Sequence, residues 1–179
     1  VRVGGHGPAV VLLHGFGDTG DMWVPLARAL VATYTVIVPD LRGMGLSMLG
    51  PVLLEYGTEE QRRTHIPKIV SGEIRWCQGY SEPAAGSDLA SLRTSAVVEG
   101  DHYIVNGQKC WNTLGQHADW MFCLVRTDPH VKAQRGISII LIDMRSPGIT
   151  VRPTRLLDGT DEVNDIYFDN VQVPLAQRI

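Results

Sequence analysis

The sequence lacks the features that mark membrane, secreted and nucleic-acid-binding proteins. It has no run of Lys or Arg, and its formal net charge is −3, which disfavours nucleic acid and anionic membranes as partners. No apolar run approaches the roughly 20 residues that a membrane helix needs, and no basic-then-apolar signal peptide opens the chain. We therefore expect a cytoplasmic protein that binds neither membrane nor nucleic acid.

Disulfide and metal frameworks are also missing. The three cysteines, Cys77, Cys110 and Cys123, show no C-x-x-C spacing, and an odd number disfavours a set of paired disulfides. The six histidines stand singly, without an H-E-x-x-H motif or a paired Cys/His cluster. We predict three core cysteines and no metal site.

Neither end of the sequence has the form of a complete coding sequence. The chain begins at Val1 rather than Met and stops at Ile179 without a closing element. We expect a piece of a longer protein, whose ordinary apolar fraction of 44% suits one or two globular domains.

Residues 1–47 carry the pattern of an incomplete α/β unit. Short apolar strands at 1–3 and 9–13 form a strand pair around a turn-rich loop, apolar residues recur at helical spacing over 22–32, and a buried strand follows at 35–38. A strand, a helix and a strand in this order are typical of a parallel sheet. Because so short a segment buries too little surface to be stable alone, we expect exposed apolar strands and a tendency to self-associate.

Two motifs in this first segment resemble the opening of an α/β-hydrolase. They are His14-Gly15-Phe16-Gly17 and the stretch at 38–47, Val-Pro-Asp-Leu-Arg-Gly-Met-Gly-Leu-Ser. In that family the loop after the early strand supplies a backbone N–H to the oxyanion hole, which places that donor near Phe16. The G-x-S-x-G nucleophile elbow occurs nowhere in the sequence, and Asp40 stands at a loop-fixing position. We therefore expect no hydrolase activity from this segment.

A short helical stretch follows a change of composition near Ser47-Met48. The pattern predicts a helix over 49–56 that Gly57 ends in the left-handed conformation usual after a helix. Thr58 and Gln61 form a capping box for a second helix that runs to about His65, and Pro67 opens a further turn.

Short strands fill the remainder of the chain. Asn106-Gly107 is the strongest hairpin signal, because both residues of such a turn must accept positive φ. Regular short strands without intervening helices favour a small barrel or sandwich. The strands are predicted at 93–99, 102–105, 108–111, 119–126, 136–144, 149–155 and 163–168.

Four ordered motifs in this region resemble an acyl-CoA dehydrogenase. They lie at 50–61, 76–88, 106–113 and 168–174, and they match in order the end of that family's N-terminal helical domain and then its middle β-domain. The two resemblances imply an α+β chain. Its three parts are a partial α/β-hydrolase β-α-β unit at 1–47, a helical linker at 48–73 and a mainly-β, barrel-like middle domain at 74–179.

The resemblance also implies FAD as cofactor and assigns residues to one wall of its site. Gln78 to Ser81 form a short extended stretch whose backbone donors face a ligand, with Tyr80 donating through its N–H and Ser81 through its hydroxyl. Trp111 and Thr113 stand two apart on a strand and so share a face. The indole would lie against the flavin, and the hydroxyl would bond its reactive nitrogen.

The tight turn at 84–88 is implied to meet the second ligand, acyl-CoA. Ser87 would touch its pantetheine or phosphate region. Gly86 is interpreted as a position that needs positive φ, and Asp88 as a cap for the residues after it. Asn112 departs from the apolar residue or Ser that the family commonly has there.

No residue is assigned to catalysis. In the family a carboxylate of the C-terminal helical domain removes the substrate's α-proton while the β-hydride passes to the flavin, and this chain has no matching context for that base. We expect an acyl-CoA dehydrogenase-type fragment with little or no turnover alone. The alternatives are an α/β-hydrolase-type fragment without its nucleophile and a non-enzymatic module that binds CoA esters or a protein.

Overall fold

The computed structural model of the chain describes residues 2–12, 23–38 and 44–179. The whole of the first hydrolase-like motif, His14 to Gly17, and residues 39–43 of the second, Asp40 among them, lie outside the described residues. The rest forms a small N-terminal α/β unit, a helical segment and a large β-sheet, which confirms the predicted α+β class.

The N-terminal unit is a three-stranded sheet with one helix. Its elements are β1 Arg2–Gly4, β2 Ala9–Val11, α1 Val24–Leu30 and β3 Thr35–Val38. Strands β2 and β3 are parallel and are joined through α1, as the strand-helix-strand pattern predicts. The predicted pairing of the first two strands is wrong: the sheet order is β1-β3-β2, because β3 pairs with both and lies between them. Val3 and Val11 are more than half exposed.

Two helices follow a π-helical turn at Gly45–Leu49, namely α2 Gly50–Tyr56 and α3 Glu59–Ser71. The predicted capping box is confirmed, with the Thr58 N–H donating to Gln61 Oε1 at 2.9 Å and the Gln61 N–H donating to Thr58 Oγ1 at 3.1 Å.

Two details of the helical prediction are wrong. Gly57 has φ −69° and ψ 152°, an extended rather than left-handed conformation, because it leads directly into the extended Thr58 that caps α3. A Cβ at Gly57 would lie 2.6 Å from the Leu53 carbonyl oxygen, so close approach explains this glycine. Pro67 lies inside α3, which continues through it to Ser71.

The remaining strands form one seven-stranded sheet that curls into a half-barrel, as the resemblance implies. The strands are β4 Trp76–Gly79, β5 Ser95–Glu99, β6 His102–Thr113, β7 Trp120–Arg126, β8 Ile137–Asp143, β9 Ile149–Thr154 and β10 Val163–Pro174. Their order in the sheet is β4-β7-β5-β6-β10-β9, and β8 pairs with β7.

The predicted hairpin at Asn106-Gly107 is wrong. Both residues lie inside the continuous strand β6, and the chain instead turns at Gly100, whose φ is +62°, between β5 and β6. Gly107 does adopt a positive φ of +147°, and a Cβ there would lie 2.6 Å from Thr94 Oγ1. The glycine therefore admits the close approach of another segment rather than a reversal of the chain.

One apolar core fills the half-barrel and a second lies between the helices and the sheet. The second core joins Leu49, Leu53 and Ile69 to side chains of β4, β7 and β8.

The three cysteines are buried and unpaired, as predicted, and burial raises the pKa of the Cys123 thiol to about 11.

His65 of α3 is buried against two tryptophans. Its ring lies edge-on to Trp76 at 5.2 Å and to Trp120 at 4.9 Å between ring centroids. Burial, and then the charge of Lys68, lower the pKa of His65 below its ordinary 6.5, against a smaller opposing effect of Gln177. The imidazole is therefore held neutral at a helix-sheet contact.

We expect acid to weaken the fold through this histidine. Since the unfolded chain takes up the proton first, the free energy of unfolding is highest above pH 6.5 and falls as the pH drops towards the lower folded pKa. Urea denaturation at pH 7.5 and pH 5.5 measures the loss. His65→Gln should lose less between these values than wild type, and a substitution of the exposed His130 should behave as wild type. Equal losses in all three proteins would contradict the assignment.

Candidate functional site

The candidate site lies along the free edge of β4. This strand pairs with β7 on one side only, and the Trp120 N–H donates to the Arg75 carbonyl oxygen at 3.1 Å. Because backbone groups alternate in direction along a strand, the N–H and carbonyl groups of Gln78 turn away from β7, and Tyr80 and Ser81 follow the end of the strand. The Tyr80 ring is fixed by an edge-on contact with Phe122, with centroids 5.8 Å apart.

Side chains and a backbone N–H of β6 donate hydrogen bonds to carbonyl oxygens of this segment. Asn112 Nδ2 donates to the Gln78 carbonyl oxygen at 2.5 Å, and Lys109 Nζ donates to that of Tyr80 at 3.1 Å. The Cys110 N–H donates to the Ser81 carbonyl oxygen at 2.9 Å. The structure thus brings the two motifs at 76–88 and 106–113 into direct contact.

The two residues that directly follow β4 carry donors without a protein partner. In the part of the chain that the structure describes, the N–H groups of Tyr80 and Ser81 make no hydrogen bond, and neither does the Ser81 hydroxyl. Both residues are partly exposed. Their carbonyl oxygens are bonded while their donors are open, an arrangement that can bind a ligand with adjacent acceptors.

Trp111 stands on a β-bulge. Between Asn164 and Ile166, β10 has one residue where β6 has two, Cys110 and Trp111, and Trp111 has a φ of +59°. Such a φ is uncommon for a bulky residue, and bulges often re-aim side chains next to functional sites. The indole is 66% exposed while Cys110 beside it is buried, so the bulge presents the ring outward.

Thr113 is the last residue of β6 and is only partly buried, two positions beyond the exposed Trp111. Asn112 between them is buried. That Trp111 and Thr113 share one face stays a prediction, since the bulge at Trp111 interrupts the simple alternation of the strand.

A buried ion pair lies directly beneath the free edge. Lys109 is fully buried and its Nζ lies 2.8 Å from Glu82 Oε1. The Glu82 carboxylate also accepts the N–H groups of Arg93 at 2.7 Å and Thr94 at 2.9 Å. Burial raises the pKa of Glu82, but the hydrogen bonds from Lys109, Thr94 and Arg93 outweigh it and hold the pKa below its ordinary value.

This pair is absent from the sequence-based predictions, although the sequence contains a signal for it. Lys109 falls on the inward alternation of β6 that Tyr103 and Val105 also occupy. A charged residue at such a position requires a buried partner of opposite charge, because an unpaired buried charge is costly.

The turn at 84–88 gives a mixed result. Ser87 is exposed. Gly86 does not have the positive φ that we predicted, and a Cβ there would meet nothing within 4 Å. Asp88 makes no side-chain cap; its carbonyl oxygen accepts the N–H of Ser91 instead. The turn is therefore closed through Ser91, whose hydroxyl also donates to that oxygen at 2.7 Å.

Other kinds of site are not found in the described ranges. No group of three or more His, Cys, Asp or Glu side chains there could hold a metal ion. Nor is any helix between residues 2 and 179, within those ranges, both long and apolar enough to cross a membrane.

The half-barrel β-sheet lies within a segment that a known domain family matches. Residues 77–171 match the family model of the acyl-CoA dehydrogenase middle domain. The chain therefore belongs to the acyl-CoA dehydrogenase family. Residues 8–71 match the model of the alpha/beta hydrolase fold.

Individual relatives support the same family. The chain is 44% identical over 139 residues to acyl-CoA dehydrogenase FadE29 of Mycobacterium tuberculosis (strain ATCC 25618 / H37Rv), covering 78% of this chain and 36% of that protein. Among solved structures, the Tcur3481-Tcur3483 steroid ACAD has a TM-score of 0.73 at 38% identity over 75% of this chain and 35% of that chain. A glutaryl-CoA dehydrogenase from Mycobacterium smegmatis in complex with FADH2 has a TM-score of 0.65 at 32% identity, over 76% and 34%.

The chain spans about a third of the length of these relatives, 36% for FadE29. The FadE29 match covers 139 of 179 residues and so begins at residue 41 or earlier, while the hydrolase match extends to residue 71. Both matches thus include α2 and α3. The boundaries at 47/48 and 73/74 stay a prediction.

Proposed function

We propose that this chain forms one wall of an FAD site in an acyl-CoA dehydrogenase-type oxidoreductase and does not turn over alone. The observation that carries the proposal is the set of open donors at Tyr80 and Ser81, beside the outward indole of Trp111. An isoalloxazine ring has adjacent acceptors on its pyrimidine edge and a flat apolar face. This edge and this indole complement both features.

Each proposed flavin residue has a distinct part. The backbone N–H of Tyr80 and the hydroxyl of Ser81 would donate to the ring edge, supported by Gln78, whose carbonyl oxygen is already bonded. Trp111 would cover the ring, and Thr113 would donate to a ring nitrogen. When bound, FAD supplies an acceptor for the hydride that leaves the acyl β-carbon; the protein's contribution is binding, orientation and electrostatics.

The second ligand in this proposal is acyl-CoA, with Ser87 at its pantetheine or phosphate region. The exposed position of Ser87 on the turn after β4 makes this contact sterically open. A cytoplasmic setting and self-association through the exposed strands of the N-terminal unit belong to the same proposal.

The carboxylate that adjoins the open edge, Glu82, is not suited to act as the base. Both of its oxygens accept hydrogen bonds and its pKa is lowered. A base must have a free oxygen within reach of the substrate proton. We therefore propose that the base belongs to a part of the full-length enzyme outside this chain.

Titration of the chain with FAD, followed by quenching of flavin fluorescence, tests the proposal. We expect wild type to bind FAD, and Trp111→Ala and Ser81→Ala each to bind about tenfold more weakly, since each removes a ring contact or a donor. Tyr56→Ala is the matched control, because Tyr56 is equally exposed, at 67%, but lies on α2. Equal affinity in wild type and both site variants would contradict the flavin wall.

The hydrolase alternative is tested in the same preparations with a simple p-nitrophenyl ester. We expect no turnover above the buffer rate, because the sequence holds no nucleophile elbow. Saturable hydrolysis would favour the alternative instead.

A further inference from the structure

We propose that Lys109 is a positioning residue for the flavin edge, by which we mean the donors of Tyr80 and Ser81. It holds the Tyr80 carbonyl on the buried side and so directs the Ser81 N–H outward. The inference rests on the proposed function. The Lys109 side chain is fully buried, and its Nζ lies 3.1 Å from the Tyr80 oxygen and 2.8 Å from Glu82 Oε1.

The geometry of one peptide unit links the ammonium to the donor. The Tyr80 carbonyl and the Ser81 N–H belong to the same planar peptide, and the described part of the chain has no cis peptide bonds. In a trans peptide the C=O and N–H point in opposite directions. Since Lys109 draws the oxygen towards the buried ion pair, the Ser81 N–H must point away from it, where it would be a further donor to the ring beside the Tyr80 N–H and the Ser81 hydroxyl.

Glu82 fixes the position of the Lys109 ammonium. Its carboxylate is tied to the backbone N–H groups of Arg93 and Thr94, at 2.7 and 2.9 Å, just before β5. The chain of contacts therefore runs from the backbone just before β5 through Glu82 and Lys109 to the Tyr80 carbonyl. It would orient the flavin donors without itself touching the ligand.

Two variants distinguish a positioning role of Lys109 from a contribution to the stability of the fold alone. Glu82→Gln leaves the Lys109 amine beneath Tyr80 but without its counter-charge, so it is expected to be the less stable protein. Glu82→Gln with Lys109→Met removes both charges and recovers stability, but nothing then donates to the Tyr80 oxygen. Stability and flavin affinity should thus rank these two proteins in opposite orders.

The experiment measures both quantities on the full chain, by urea denaturation and by FAD fluorescence quenching. We expect Glu82→Gln to keep FAD affinity within about threefold of wild type and the double variant to lose about tenfold. Lys68→Met, which removes the lysine of the exposed Lys68–Glu73 pair, is the control and should bind as wild type.

The outcomes distinguish this inference from the function on which it rests. Affinity that follows stability, with the double variant binding more tightly than Glu82→Gln, overturns the positioning role and leaves the flavin wall standing. A wild-type chain that quenches no flavin fluorescence overturns the proposed function and this inference together.

Discussion

Glu82→Ala is expected to lower the free energy of unfolding by about 3–5 kcal/mol, which is a large part of the stability of an ordinary domain. The substitution leaves the fully buried Lys109 ammonium without a counter-charge. It also removes the acceptor for the backbone N–H groups of Arg93 and Thr94. A buried polar group that loses its partner suffers the full cost of desolvation.

Urea denaturation of three variants checks this expectation. Adding Lys109→Met to Glu82→Ala should recover part of the loss, because the unpaired charge is then absent. Glu73→Ala breaks the exposed Lys68–Glu73 contact of 3.8 Å and should change the free energy by less than about 1 kcal/mol. A double variant no more stable than Glu82→Ala would show that the ion pair is not what the carboxylate contributes.

Features that depend on neighbouring residues are predictable from the sequence of this chain. The Thr58–Gln61 capping box involves groups only three residues apart, so its pattern of residue types is sufficient. The β2-α1-β3 unit is likewise predicted by periodicity, because its pattern is repeated along the segment. The middle domain is implied by the resemblance of its ordered motifs to a known family, and not by local contacts.

Features that depend on distant contacts are not predictable in this way. Asn106-Gly107 has the residue types of a tight turn, but Thr94 packs against Gly107 and β10 pairs along the whole of β6. Tertiary pairing therefore overrides the local preference. The bulge at Trp111 also has no sequence signal, since it arises from the register of β6 against β10.

The same distinction divides the candidate site. Its residue types follow from the motifs, but the contacts of Ser81 with Cys110 and of Tyr80 with Lys109 join residues 29 apart in sequence. Only the folded sheet shows that these contacts occupy the carbonyl oxygens and leave the donors open. The site therefore depends on the distance between β4 and β6, and we propose that the Glu82–Lys109 ion pair helps to set that distance.

Leu53→Ala is expected to lower the free energy of unfolding by about 2–5 kcal/mol, the range for a buried leucine. Leu53 of α2 is fully buried in the core that joins the helices to β4, β7 and β8. Within the described chain, Leu53 is the one buried side chain of α2. Its truncation therefore leaves a cavity in this core. Urea denaturation followed by tryptophan fluorescence measures the loss, since Trp76 lies in the same core.

The neighbouring residue provides the control. Leu54 is 60% exposed, so Leu54→Ala removes the same atoms from the surface and should change the free energy by less than about 0.5 kcal/mol. If the helices and the β-domain unfold as one cooperative unit, Leu53→Ala moves the single transition to lower urea without splitting it. An unchanged β-domain transition would mean that the helical segment unfolds separately. The free edge of β4 would then not depend on the helices for its stability.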